Sequence, residues 1–254
     1  MNHMAVVAIS LLAVAWAEGA SARPAKFNRA SGGLVFSEPK GKQICLLSAQ
    51  EVVTTNILRA AADKVVAEIH APIEIVTVRN KGSVVVEMEA LQKNPKYATL
   101  VAFIEGNGET ITKFDPDNGR CVVDVRTLAK DGADKSRIEE RVIKCVWRSV
   151  GFVLGDGMSI GSWSVLGRAR TLAELDAIKA TSPSPEQHNS MVYNSKKMGI
   201  VPVNVASYRT ACQQGWAKRP QDEEQQKIWD EIHTTPSKPI KITYDKDKQK
   251  PVVK

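Results

Sequence analysis

Histidine, cysteine and serine are the residues with which metal or hydrolytic chemistry would begin in this chain, and their spacing works against it. The four histidines are His3, His70, His188 and His233, and no two lie within a helical turn of each other. None therefore forms the local pair that a helix-borne metal site uses, and each by itself reads as a surface or capping residue. The cysteines Cys45, Cys121, Cys145 and Cys212 contain no C-x-x-C, which argues against a zinc ribbon or a thioredoxin-type site. Their even count permits two disulfides in an oxidising compartment, in any of three pairings, while the apolar neighbours of Cys45, Cys121 and Cys145 equally permit buried thiols. Gly157-Met-Ser159-Ile-Gly161 matches G-x-S-x-G, with Ser159 as its nucleophile, but that motif needs a strand before it and a helix after it. Here the pattern is helix before and irregular Gly/Ser after. Cys145 lies one helical turn from Arg148, whose guanidinium would stabilise a thiolate; with no histidine nearby in sequence, a core cysteine is the simpler reading. Asp115-Pro-Asp-Asn-Gly119 pairs aspartates without the ligand spacing or closing glutamate of a calcium loop, and reads as a hairpin turn.

The elements that must carry these residues follow from hydrophobic period. Gln43 to Leu47 reads as a short buried strand, and Ser48 with Glu51 reads as a capping box opening a helix that runs to Ile69, before Pro72. Ile73 to Val78 and Ala98 to Ile104 read as strands, with Ser83 to Gln92 ambiguous between helix and strand. Thr110 to Phe114 and Cys121 to Val125 flank the Asp115–Gly119 turn as a hairpin. A long helix is predicted over Lys135 to Leu154, with the seam Ile138, Val142, Val146, Val150 and Val153 and a stop at Gly155. Further helices are predicted to start at Thr171 and near Pro185, Asn204 and Asp222. The expected fold is α/β or α+β: a twisted mixed sheet backed by two long helices, with a helical C-terminal extension.

The stretch from Arg137 to Lys179 carries a resemblance. Arg141-Val-Ile-Lys144 leads into Arg148-Ser149-Val-Gly151-Phe152-Val-Leu154-Gly155, then without a gap Met158-Ser159 and Ser164-Val165-Leu166. This is similar to the archaemetzincin family of metzincin zinc peptidases, whose pattern is H-E-x-x-H-x-x-G-x-x-H-C-x-x-x-x-C-x-M. Gly155 falls at the helix-ending glycine and Leu166 at the methionine of the Met-turn. Leu172-Ala-Glu174-Leu175-Asp176 resembles the start of the family's next helix, and Cys121 to Leu128 its strand leading toward the active-site helix. The likeness spans roughly residues 43 to 180. It implies a metzincin-like domain whose chemistry has been replaced. The three zinc-ligand positions hold Arg148, Phe152 and Met158, the general-base position holds Ser149, and two second-metal positions hold Ser159 and Ser164. Arginine has no lone pair to give, phenylalanine none at all, and a thioether is a poor zinc ligand. No metal or other cofactor is therefore expected.

Residues Ala5 to Ala17 form an apolar run too short to span a bilayer, followed by the small-residue exits Ala15-Trp-Ala17 and Ala20-Ser-Ala22. This reads as a secretory signal over residues 1–22, and no later stretch reads as a transmembrane anchor. The remaining organisation is a polar lead-in over 23–42, a metzincin-like domain over 43–180, a helical extension over 181–235 and a basic, unstructured tail over 236–254. The net charge is +7, and the tail from Pro236 holds six lysines and two aspartates. It lacks the aromatic platforms of a nucleic-acid binder. The reading that results is an exported, noncatalytic relative of a metallopeptidase, in the periplasm or outside the cell, that binds a protein, a peptide or an anionic ligand. Arg148 is its candidate ligand contact. The alternatives are an exported hydrolase of another mechanism and an unrelated structural or interaction protein.

Overall fold

A computed structural model describes residues 32–78, 84–155, 163–234, 242–244 and 251–253. The expected signal segment, the first part of the lead-in, and Met158 and Ser159 with the surrounding G-x-S-x-G stretch lie outside these residues. The described chain forms two compact units, residues 38–205 and residues 32–37 with the chain from 206 onward.

The first unit is an α/β sheet structure. Its strands are β2 (Gln43–Ala49), β3 (Ile73–Val78), β4 (Tyr97–Ile104), β5 (Thr112–Asp115) and β6 (Arg120–Asp124). They lie in the order β3-β2-β4-β6-β5. The first four run parallel, and β5 is an antiparallel edge paired to β6 through Phe114↔Cys121 and Asp115↔Arg120. The hairpin expected at Asp115–Gly119 is thus present, with the Asp115 carboxylate accepting from Asn118 and Arg120. Central strands buried on both faces explain why β2 and β4 read as nearly continuous apolar runs.

Side-chain alternation divides the sheet between two layers. Cys45, Leu47, Leu100 and Ala102 pack against Met88 of α2 (Val84–Lys93), the stretch whose period was ambiguous and which is helical. The opposite face carries α1 (Thr55–Ile69) and α4 (Lys135–Val153), which also contact one another. Between β6 and α4 lies the single turn α3 (Val125–Leu128), capped by Asp124. A strap then leads through α5 (Leu172–Ala177) and α6 (Pro185–Lys197). Both helices open with true capping boxes, Thr171 with Glu174 and Ser184 with Gln187.

The capping box expected at Ser48 does not form. Ser48 is a buried strand residue paired on both sides, with Thr77 and with Phe103, and its hydroxyl donates to Val53 O at 2.8 Å. The chain turns through Gln50 and Glu51, both at positive φ, and α1 starts only after Thr54. Two neighbouring strands outbid a local cap signal.

In the second unit, β1 (Leu34–Phe36) pairs with β7 (Val205–Ser207). The helix expected near Asn204 begins later, as α7 (Tyr208–Gln213) capped by Ser207, because residues 205–207 are drawn into that ladder. Tyr208 and Cys212 bury against Ile228 of α8 (Glu223–Thr234). Within the stretch expected as an unstructured tail, β8 (Ile242–Tyr244) and β9 (Pro251–Val253) pair antiparallel. Among the described residues no helix is long and apolar enough to cross a membrane.

Candidate functional site

Of the residues singled out in sequence, Arg148, Ser149 and Phe152 lie on α4, and Ser164 and Leu166 on the strap that crosses it. Asp134 caps α4 by accepting from Arg137 N at 2.8 Å, and the helix ends where Gly155 takes φ +74°, a left-handed conformation that favours glycine. Its buried side includes Ile138, Val142, Val146 and Val150, but also three cations, Arg141, Lys144 and Arg148. A buried cation needs a partner, and each of these finds one on the strap or beside it.

Arg141 is 1% exposed and grips Asp176 with two bonds, Nε to Oδ1 at 2.8 Å and Nη2 to Oδ2 at 2.7 Å. Its Nη1 donates to Leu128 O at 2.7 Å. This fork geometry is the strongest form of the Arg–carboxylate pair. It holds the Asp176 carboxyl below its ordinary pKa and raises that of Arg141. Lys144 donates to Leu175 O at 3.2 Å, near the end of α5, and pairs with Glu140 at 2.7 Å. Arg148 is 2% exposed; its guanidinium donates to the main-chain carbonyls of Gly167 and, at 3.1 Å, Ala169. Burial lowers its pKa, but arginine starts so high that it stays charged.

Phe152, expected at the second ligand position, stacks on Phe114 of the edge strand β5 with ring centroids 5.7 Å apart. Ser149, expected at the general-base position, is fully buried beside the Cys121 thiol. Ser164 is fully buried, donates to the Gln187 side chain and accepts from Leu166 N at 3.1 Å, so it joins the strap to the cap of α6. Leu166 is buried against Gly151: a Cβ placed on that glycine would lie 2.9 and 3.0 Å from the Leu166 methyls. The absence of a side chain at 151 is what lets the strap approach the helix.

Arg148, Phe152, Ser149, Ser164 and Leu166 therefore belong to one neighbourhood. As a donor set it does not fit zinc. A guanidinium bonded to carbonyls and a phenyl ring stacked on another offer no lone pair. Among the described residues, no three of His, Cys, Asp and Glu converge. His70 and His188 are engaged elsewhere, on Val203 O at 3.0 Å and on Glu68 O at 2.9 Å, where they tie down the end of α1.

The cysteines are all buried free thiols. Burial pushes Cys145 up to about 12 and Cys121 up to about 11, and Arg148 offsets only part of this. A thiolate at Cys145 is not available at neutral pH. What sequence reasoning missed is the set of partners: Asp176, Leu175 O and the 167–169 carbonyls. The signal was present in Arg141, Lys144 and Arg148, which recur at helical spacing along an otherwise apolar seam.

No family model matches the chain, and neither does any curated protein sequence. Among solved structures, the chain is similar to archaemetzincin from Methanopyrus kandleri at 16% identity and a TM-score of 0.48, over 61% of this chain and 96% of that one. It is also similar to a zinc-dependent peptidase from Methanocorpusculum labreanum at 14% identity and a TM-score of 0.47, over 58% and 99% of the two chains.

Proposed function

We propose that this is an exported, noncatalytic protein built on a metallopeptidase-like core, a pseudoenzyme that acts by binding or scaffolding. The observation that carries this reading is the occupation of the former ligand face of α4. Arg148 is consumed by the strap carbonyls and Phe152 by its stack on Phe114, so this face serves packing. Gly155 and Leu166 support the metzincin-like register. The one stops the helix at positive φ and the other packs beneath it on Gly151. In this reading binding falls to surfaces left around the closed site. The edge strand β5, with Phe114 39% exposed beside the Phe152 ring, suits an extended peptide segment.

Two measurements on the purified protein test the reading. Elemental analysis after dialysis should find no stoichiometric zinc; a tightly held zinc would overturn the register that puts Arg148 and Phe152 at ligand positions. Arg148→Ala should lower stability by about 3 kcal/mol, because it leaves buried carbonyls without their charged donor. Unchanged stability would count against the packing role assigned to Arg148.

A further inference from the structure

The other edge of the sheet, at β3, presents a second kind of surface. The carbonyls of Pro72 and Val78 accept from Ile44 N and Gln50 N, on the β2 side. Main-chain groups alternate along a strand, so the even-numbered residues turn inward while Ile73, Ile75 and Thr77 turn their N–H and C=O outward. Among the described residues no strand pairs with this edge.

Among the described residues the strand itself carries few of the usual edge protections, although Ile73 at its start is only 8% exposed. Its six residues, IEIVTV, include no proline and no lysine, and the ladder to β2 runs without a bulge. Glu74 is its one charge, and Lys96 and Tyr97 of the same chain already hold that carboxylate, each at 2.7 Å. On one face Val76 and Val78 extend the cluster around Met88, and on the other Thr77 reaches Thr55 of α1.

We propose that β3 pairs antiparallel with the β3 of a second copy of this chain, about a two-fold axis normal to the sheet that passes midway between the two Ile75 residues. Such an axis leaves every side chain on its own face, so only residues of the same parity meet. Ile75 then faces its own copy, Ile73 faces Thr77, and Glu74 faces Val76. The Ile75 pair and both Ile73–Thr77 pairs are hydrogen-bonded pairs, so every outward main-chain group of the strand finds a partner. Centring the axis on Val76 instead would leave the outward groups of Ile73 beyond the end of the opposing strand. The two Glu74 carboxylates never oppose each other, and at the centre of the join Ile75 meets the Ile75 of the other copy. This self-complementarity favours a second copy over an unrelated strand.

Sedimentation of the purified full chain should show a reversible dimer. Thr77→Pro removes an outward N–H without touching the ladder to β2, and Ile75→Lys sets two ammonium groups face to face. Each should weaken the dimer by about tenfold or more with an unchanged circular dichroism spectrum. Ile75→Cys should cross-link to its own copy under mild oxidation, since directly opposed residues of a hydrogen-bonded pair lie within disulfide reach. A monomeric wild-type chain would overturn the proposal, as would a dimer that resists both strand variants and leaves the Ile75→Cys thiols unlinked.

Discussion

At the scale of single residues, Gly151 shows how a side chain's absence can position a site. Mid-helix glycine is unfavourable by roughly 1 kcal/mol relative to alanine, so Gly151→Ala should help α4 as an isolated helix. In the folded protein the new methyl would meet both Leu166 methyls at or below 3.0 Å, and Leu166 is buried at 2% exposure with little room to rotate away. Overpacking of this kind costs about 1–3 kcal/mol. The cost should exceed the helical gain and leave Gly151→Ala less stable than wild type by about 1 kcal/mol, measured as a lower denaturant midpoint. Combining it with Leu166→Ala should recover part of that loss relative to Leu166→Ala alone. An additive pair of effects would mean that the two residues do not share this space.

At the scale of elements, α4 and its strap are held by cations that a helix of this burial would ordinarily exclude. The Arg141–Asp176 pair makes the arrangement sensitive to acid. Asp176 has its folded pKa depressed by Arg141. A depressed carboxyl contributes stability that is present above its unfolded pKa, about 3.9, and lost as pH falls through the folded value. Wild type should therefore lose stability on acidification below about pH 4 through this group, and Asp176→Asn should be flatter over the same range. At neutral pH Asp176→Asn should be less stable by about 2–3 kcal/mol, because Arg141 stays buried without its counter-charge while the exposed quarter of Asp176 moderates the loss. Chemical denaturation of both proteins from pH 2.5 to 7 checks each part. Parallel profiles would remove Asp176 from the acid response. The cation stripe was legible in the spacing of residues 141, 144 and 148. Most of its partners were not, since Asp176, Leu175 O and the carbonyls of Gly167 and Ala169 lie on a strap up to 35 residues further on, and carbonyl acceptors leave no mark in side-chain type.

At the scale of the whole molecule, the apolar run Ala5–Ala17 and its small-residue exits bear on where the protein works. If export proceeds as proposed, protein recovered outside the cytoplasm of its native host should begin at Arg23 or at Glu18 on N-terminal sequencing. An intact Met1 on exported material would refute signal cleavage. Solvent exclusion and raised pKa values both slow oxidation of the four buried thiols. Thiol titration of the native and denatured protein should show four slow-reacting groups that become accessible on unfolding.

Local chemistry in the sequence determined the hairpin at Asp115–Gly119, the alternation of β3, the caps at Thr171 and Ser184, and the long amphipathic α4. Each rests on contacts within a few residues, so a linear pattern suffices to encode it. The start of α1 and the strand at Val205–Ser207 were decided by tertiary structure, because ladders from distant strands claimed residues whose local signals pointed to helix. The same holds for the candidate site. Residue types alone told that Arg148 and Phe152 cannot ligate a metal. That the guanidinium would be spent on Gly167 and Ala169, and the ring on Phe114, depended on how closely Gly151 lets the strap approach and on where β5 ends the sheet. Those are distances between segments far apart in sequence, and packing fixes them only once the whole core has closed.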